Sequence, residues 1–270
     1  MKTKVCVITG AGGVICSAFA HEMAQNGYAV ALIDINEEAA ERCAAEVCMY
    51  GGLAKAYCAD VLDRDELENV RRRISLELGK CTVLINGAGG NIRSASTAHE
   101  YYESGDEKRD DIPTFFNLDS PGYDFVFDLN MKGVLIPTQV FAKDMIDGEG
   151  CSVVNITSMD ALSPMTKNPV YGSAKAALTN FTRWLAVHFA KAGIRVNAIA
   201  PGFLENEKEN RDDLLTPREE KILNATPMGR FGHPDELLGA LKFLTDATMS
   251  SFVTGVVIPV DGGFSAYSGV

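Results

Sequence analysis

Tyr171 and Lys175 stand four residues apart in the run Val170-Tyr-Gly-Ser-Ala-Lys-Ala-Ala-Leu, and Ser158 precedes them at the end of Val153-Val-Asn-Ile-Thr-Ser. On a helix, positions i and i+4 share a face, so a phenol and an ammonium can point into one cleft. A free phenol, with a pKa near ~10, is a poor base at neutral pH. A nearby cation favours the phenolate and lowers that pKa. The tyrosine could then exchange a proton with a substrate hydroxyl or carbonyl, as general acid–base catalysis requires. A serine at a strand end could hold the same oxygen. Tyr-x-x-x-Lys alone is common on exposed helix faces, so its meaning depends on the elements that carry it.

Those elements alternate. Short apolar runs at residues 5–9, 29–34, 54–58, 82–85, 153–156, 196–199 and 256–260 read as strands. Helical periodicity occupies 16–26, 37–50, 63–78 and 171–192 between them. This order predicts an α/β fold, a Rossmann-like doubly wound parallel sheet of about seven strands with helices on both faces. Continuously apolar strands suit a sheet buried on both sides. Two stretches break the rhythm. Residues 90–122 are polar, acidic and aromatic, and too long for a routine connection. Residues 203–218 form a charged run after Pro201-Gly202 and read as a solvated loop, a surface helix or a lid over the site.

Composition bounds the function classes. With 270 residues, 46% of them hydrophobic, the chain can bury a sizeable core without disulfide staples. Its net charge is −11, and no Lys/Arg block marks a nucleic-acid footprint. An anionic ligand must therefore be held by local groups. Cys6, Cys16, Cys43, Cys48, Cys58, Cys81 and Cys151 include no Cys-x-x-Cys pair, and the four histidines are equally scattered. The expectation is free thiols in a reducing cytoplasm and no metal site. No signal peptide and no membrane-spanning run is expected.

The first strand runs into Thr9-Gly-Ala-Gly-Gly-Val-Ile-Cys16 and then a helix. Such a turn lets backbone N–H groups and a helix N-terminus approach a pyrophosphate. Asp34 closes the second strand, where a carboxylate accepts from the adenosine ribose hydroxyls and repels a 2′-phosphate. That points to NAD over NADP.

The whole pattern resembles the short-chain dehydrogenase/reductase family. The glycine turn is similar to that family's Thr-Gly-x-x-x-Gly-x-Gly, with Val14 and Cys16 where later glycines are usual and Gly13 added. Asn86-Gly-Ala-Gly89, Asp60-Val61, Asn130, Arg195 to Gly202 and Val260-Asp-Gly-Gly263 resemble further family segments. The resemblance implies one domain over residues 1–270 with an insert at about 90–122. It implies catalytic roles for Asn130, Ser158, Tyr171 and Lys175. It implies cofactor contacts from Gly10, Gly12, Gly13, Val14, Ile15, Asp34, Ile35, Asp60, Val61, Asn86, Ala88, Gly89, Tyr171, Lys175, Pro201 and Gly202. In that family lysine also holds the nicotinamide ribose, asparagine supports a water-linked proton path, and soluble homotetramers are the expectation, here through residues 118–147 and 171–192.

The substrate is less sharply written. The loop from Met159 to Val170 is polar, which favours a small hydroxylated substrate over a sterol or fatty acyl chain. Arg93 and Lys167 could pair with a substrate carboxylate, with Asp160 beside them. The insert, Ser163-Pro-Met-Thr-Lys-Asn-Pro, Pro227-Met-Gly-Arg-Phe-Gly and Phe264-Ser-Ala-Tyr-Ser-Gly resemble the sugar-acid branch, that of the D-mannonate oxidoreductases or fructuronate reductases. Gluconate 5-dehydrogenation, polyol or 3-oxoacyl reduction, and a non-catalytic dinucleotide sensor are the alternatives. Sensors of this fold usually lose the tyrosine or lysine, and both are present.

Overall fold

A computed structural model describes residues 4–205 and 215–269. Strands β1 (Val5–Thr9), β2 (Ala29–Asp34), β3 (Leu53–Cys58), β4 (Cys81–Asn86), β5 (Ser152–Ile156), β6 (Arg195–Pro201) and β7 (Val257–Val260) form one sheet in the order β3-β2-β1-β4-β5-β6-β7. Every pairing is parallel. The central strands β1, β5 and β6 are buried along their whole length, which is why they read as unbroken apolar runs. The edge strand β3 instead alternates buried and exposed residues, with Lys55 outward.

Successive side chains leave opposite faces of a strand. Val5 and Val7 join the core under α3 (Arg64–Glu77), α4 (Ser120–Met145) and α5 (Pro169–Phe189). Cys6 and Ile8 join the second core, under α1 (Val14–Gln25), α2 (Glu37–Met49) and α7 (Leu238–Thr245). The short helices α6 (Pro217–Ala225) and α8 (Ala247–Ser250) complete the described chain. Side-chain caps start several helices: Asn36 accepts from Ala39 N, and Asp63 accepts from Asp65 N and Glu66 N. Strand order reverses between β1 and β4, so a crevice opens at the carboxyl ends of these two strands, the usual ligand position in such sheets.

The stretch 90–122 holds short 3-10 turns at Arg93–Ala95, Asp106–Lys108 and Phe115–Asn117. It is knit internally by His99 Nδ1 against Asp106 at 3.1 Å and by Asn117 Nδ2 donating to the Arg109 and Ile112 carbonyls. It is tied to the loop before α5: Thr97 N donates to Lys167 O at 3.0 Å, and Asn91 Nδ2 to Asn168 Oδ1 at 3.2 Å. Irregular backbone ends earlier than expected, because Asp119 caps α4 by accepting from Gly122 N and Pro121 presets the first turn. The lid expected over 203–218 falls mainly on residues outside the described chain. Its far end is helix α6, opened by a capping box between Thr216 and Glu219. All seven cysteines are free. Among the described residues no helix is long and apolar enough to cross a membrane, and no group of three His, Cys, Asp or Glu residues is placed to hold a metal ion.

Candidate active site

The crevice at the switch point is a cleft of about 540 Å³. Gly10, Gly13, Val14, Ile15, Asp34, Ile35, Asp60, Val61, Ala88 and Gly89 line it, as the sequence suggested. Its glycines answer to packing. Gly10 has φ +67°, and a Cβ there would stand 2.8 Å from Ala88 backbone atoms. Gly12 is exposed and outside this lining, where a Cβ would meet the Ala39 methyl at 2.5 Å. Asp34 pins this loop, accepting from Gly12 N and Asn36 N at 2.9 Å each. The first bond within α1 runs from Ser17 N to Gly13 O. The amides before it face the cleft end of the helix and suit an anionic pyrophosphate.

One departure from the family glycine pattern, Cys16, fits against Gly87. Cys16 places its sulfur where a side chain on residue 87 would go: a Cβ at Gly87 would be 2.1 Å from Cys16 Sγ and 2.9 Å from Thr9 O. The thiol is buried, and burial pushes its pKa up to about 12, so it packs rather than reacts. Sequence reasoning missed Phe125 and Leu129 of α4, which close the cleft; their i,i+4 spacing was the available signal. Asn86 does not line it. Its amide is buried in the sheet and donates to Thr138 Oγ1 at 3.0 Å and Asn155 Oδ1 at 2.9 Å. Pro201 and Gly202 sit at the end of β6, where Gly202 N donates to Val260 O and a Cβ would collide with Asp261.

At the end of the cleft Asn130, Gly89 and Lys175 converge. Asn130 Nδ2 donates to Gly90 O at 2.7 Å and Val126 O at 2.8 Å, and Oδ1 accepts from Gly90 N at 3.2 Å. All of these bonds fix backbone rather than reach outward. A Cβ on Gly89 would stand 2.7 Å from Asn130 Oδ1 and 3.1 Å from Lys175 Nζ. Lys175 is buried, donates to Ile156 O at 2.8 Å, and has its Nζ 5.6 Å from the Tyr171 ring centroid. Burial brings its pKa down from 10.5 to about 8, so it remains a cation at neutral pH.

Ser158 acts on the Tyr171 phenol, and the ring packs among Ile92, Ala95, Val126 and Val170. The expected lowering of the phenol pKa by lysine is not what this environment produces. Burial pushes Tyr171 up, the Ser158 bond opposes it, and Asp160 adds to the rise. The Lys175 ammonium is spent on Ile156 O beside the ring, so desolvation wins.

The three substrate candidates part company. Arg93 is exposed, on a turn packed against α4 and α5. Lys167 is half-buried with φ 70°, a strained left-handed position, and its carbonyl carries the bond from Thr97. Asp160 is buried. Helix α6 adds cations that the sequence reading passed over. Lys221 Nζ is 2.9 Å from Glu100, and Lys221 first, with Lys167 and Arg218, holds that carboxyl below the usual range.

The short chain dehydrogenase profile matches residues 4–213. An uncharacterized oxidoreductase of Haemophilus influenzae is 51% identical over 100% of this chain and 96% of its own length. An uncharacterized oxidoreductase of Bacillus subtilis, UxuB, is 46% identical over 99% of this chain and 96% of its own. A Haemophilus influenza crystal structure with bound NAD, provisionally described as a D-mannonate oxidoreductase, superposes with a TM-score of 0.95 at 51% identity, covering 100% of this chain and 98% of that one. The profile match, these full-length relatives and the seven-stranded parallel sheet agree: the chain belongs to the short chain dehydrogenase family of oxidoreductases.

Proposed function

We propose that the protein is an NAD-dependent oxidoreductase that interconverts a secondary alcohol and a ketone on a sugar acid, D-mannonate and D-fructuronate. The observation that carries this is the Tyr171 phenol with Ser158 acting on it and the buried Lys175 beside its ring, next to Gly89 of a cleft shaped for a dinucleotide. Asp34 favours NAD, because its carboxylate faces the cleft beside the glycine turn and repels a 2′-phosphate. The relative crystallised with NAD supports the same choice.

The bound nicotinamide supplies or accepts the hydride. The chain does the rest. Tyr171 gives its proton to the ketone oxygen in reduction and takes it back in oxidation. Ser158 holds that oxygen. Lys175 stays cationic beside the phenol and would hold the nicotinamide ribose. Asn130 fixes Gly90 and with it the cleft wall. The substrate carboxylate is held by Lys167 or Arg93 at the polar mouth.

Exposed Trp184 and Val187 on α5, with Phe181, Trp184 and His188 in one ring stack, support assembly through α4 and α5 into a homotetramer. Seven free thiols suit a reducing cytoplasm. The second reading, 3-oxoacyl reduction, draws on a 32% identical 3-oxoacyl-[acyl-carrier-protein] reductase of Thermotoga maritima. A dehydrogenase panel of D-mannonate, D-gluconate, neutral polyols and a 3-oxoacyl thioester decides between them. Sugar-acid turnover at least tenfold above the rest, lost in a Lys167→Met/Arg93→Met double variant, supports the proposal. Equal turnover of acids and neutral polyols overturns it.

A further inference from the structure

Residues 91–97 meet two parts of the site at once. On one side Ile92 and Ala95 share an apolar cluster with Tyr171. On the other, Thr97 N donates to Lys167 O at 3.0 Å and Asn91 Nδ2 donates to Asn168 Oδ1 at 3.2 Å. The segment is fixed at its start, where Asn130 binds both backbone groups of Gly90. It is fixed at its end, where Ala98 N donates to Pro113 O at 2.7 Å. Asn91 Nδ2 also donates to Ser96 Oγ at 3.0 Å, and Ser96 Oγ to Ile92 O at 3.2 Å, which closes the turn at 93–95 across its base.

Lys167 is the residue that these ties constrain. Its φ is 70°, and among the described residues Asp147 is the only other non-glycine with a positive φ. A long side chain is strained there, and glycine or asparagine is the usual occupant. Asn168 is one residue away, but it precedes Pro169. A residue before proline is pushed off the helical region, and Asn168 has φ −119°. The turn into α5 therefore falls on residue 167, and the chain puts a lysine there. Such strain persists where surrounding contacts over-determine it, and it clusters at functional sites. With the ties gone, residue 167 can relax to negative φ, and its side chain leaves the backbone in another direction.

We propose that residues 91–97 are a strap that positions the carboxylate-binding lysine: Asn91 through Asn168, with Thr97 N on Lys167 O, holds Lys167 in its left-handed conformation at a set reach from Tyr171. The substrate class is one with a carboxylate at one end and the reacting carbinol or ketone a fixed number of carbons away. Asn91 is a positioning residue and touches no substrate. The inference deepens the sugar-acid reading and rests on Lys167 as the group that takes the carboxylate. It also gives the long connection before α4 a task, since the strap joins the cofactor cleft at Gly89-Gly90 to the loop that meets the substrate.

The test is steady-state kinetics of wild type, Asn91→Ala, Asn168→Ala and the double variant, on the best-turned-over sugar acid and neutral polyol of the panel above. Loss of one neutral hydrogen bond should raise KM for the acid roughly three- to tenfold, with kcat within about twofold and the polyol unaffected. The double variant should be no worse than either single one, because both remove the same bond. Effects that multiply, or an equal loss of kcat on acid and polyol, would overturn the inference and leave the segment a packing role. Thermal unfolding of Lys167→Gly against Lys167→Ala needs neither asparagine variant. Glycine should melt about 1–3 °C higher, since alanine alone bears the strain of the left-handed backbone. Alanine melting higher would show that residue 167 is not held there. Lys167→Met is run alongside: an unchanged preference for the acid would remove Lys167 as the carboxylate group and the inference with it, a result separate from multiplying effects in the asparagine pair.

Discussion

Lys175→Met should make the protein more stable while removing its activity. The ammonium is buried with one bond, to Ile156 O at 2.8 Å, and burial brings its pKa from 10.5 down to about 8. At 1.36 kcal/mol per pKa unit, that fall corresponds to ~3 kcal/mol of destabilisation whenever the group is charged. The variant also forfeits the bond to Ile156 O, worth ~1 kcal/mol. The net gain at neutral pH is therefore ~2 kcal/mol, or about 4 °C in Tm for a chain of this size. The sign follows from proton counting. Between pH 8 and 10.5 the unfolded chain binds more protons at this lysine than the folded one, so wild-type stability rises with pH across that window. The penalty is full below 8 and gone above 10.5. The advantage of the variant should shrink over the same range. Thermal unfolding of both proteins from pH 7 to 10.5 measures it. A variant less stable than wild type at pH 7, or a difference constant with pH, would show that the buried ammonium carries no such penalty.

Asp34→Ala removes the acceptor for Gly12 N and Asn36 N as well as the charge facing the cleft. The kcat/KM preference for NAD over NADP should fall roughly ten- to a hundredfold, from the ~1.5–3 kcal/mol of a charged hydrogen bond; an unchanged ratio would show that Asp34 does not read the ribose. Gly87→Ala drives a methyl to 2.1 Å from Cys16 Sγ and should cost ~1–3 kcal/mol in chemical denaturation. Adding Cys16→Ala should return part of that loss and leave the share due to Thr9 O; simple additivity of the two changes would mean that they do not touch. Light scattering at micromolar concentration should give the mass of four chains, and the mass of one chain would remove the tetramer.

The sheet was legible because its strands are buried on both faces. Residues 5–9 and 29–34 read as apolar runs and are β1 and β2 to the residue. The switch-point cleft was legible for a related reason, since Gly10 answers to backbone sterics and Gly12 to the Ala39 methyl. What could not be read depends on contacts distant in sequence. Nothing local shows that Cys16 and Gly87 share one space, or that Asn86 turns into the sheet toward Thr138 and Asn155. The spacing of Tyr171 and Lys175 put them on one face, but it carried no information on burial, and burial decides the direction in which the phenol shifts. Helices α7 and α8 were missed because they are short; α6 was reached only at its start, through the surface-helix alternative for 203–218, so Lys221 beside Glu100 went unread.

The proposed chemistry turns on the Tyr171 phenol as the group that moves the proton. Tyr171→Phe deletes only the hydroxyl and keeps the ring among Ile92, Ala95, Val126 and Val170. Single-turnover hydride transfer, followed at the nicotinamide absorbance beside an NADH-binding titration, tests it most directly. The transfer rate should fall ~10²–10⁴-fold with NADH affinity unchanged. Transfer within a factor of about two of wild type would contradict it, because no acid–base role of the usual size fits in that range.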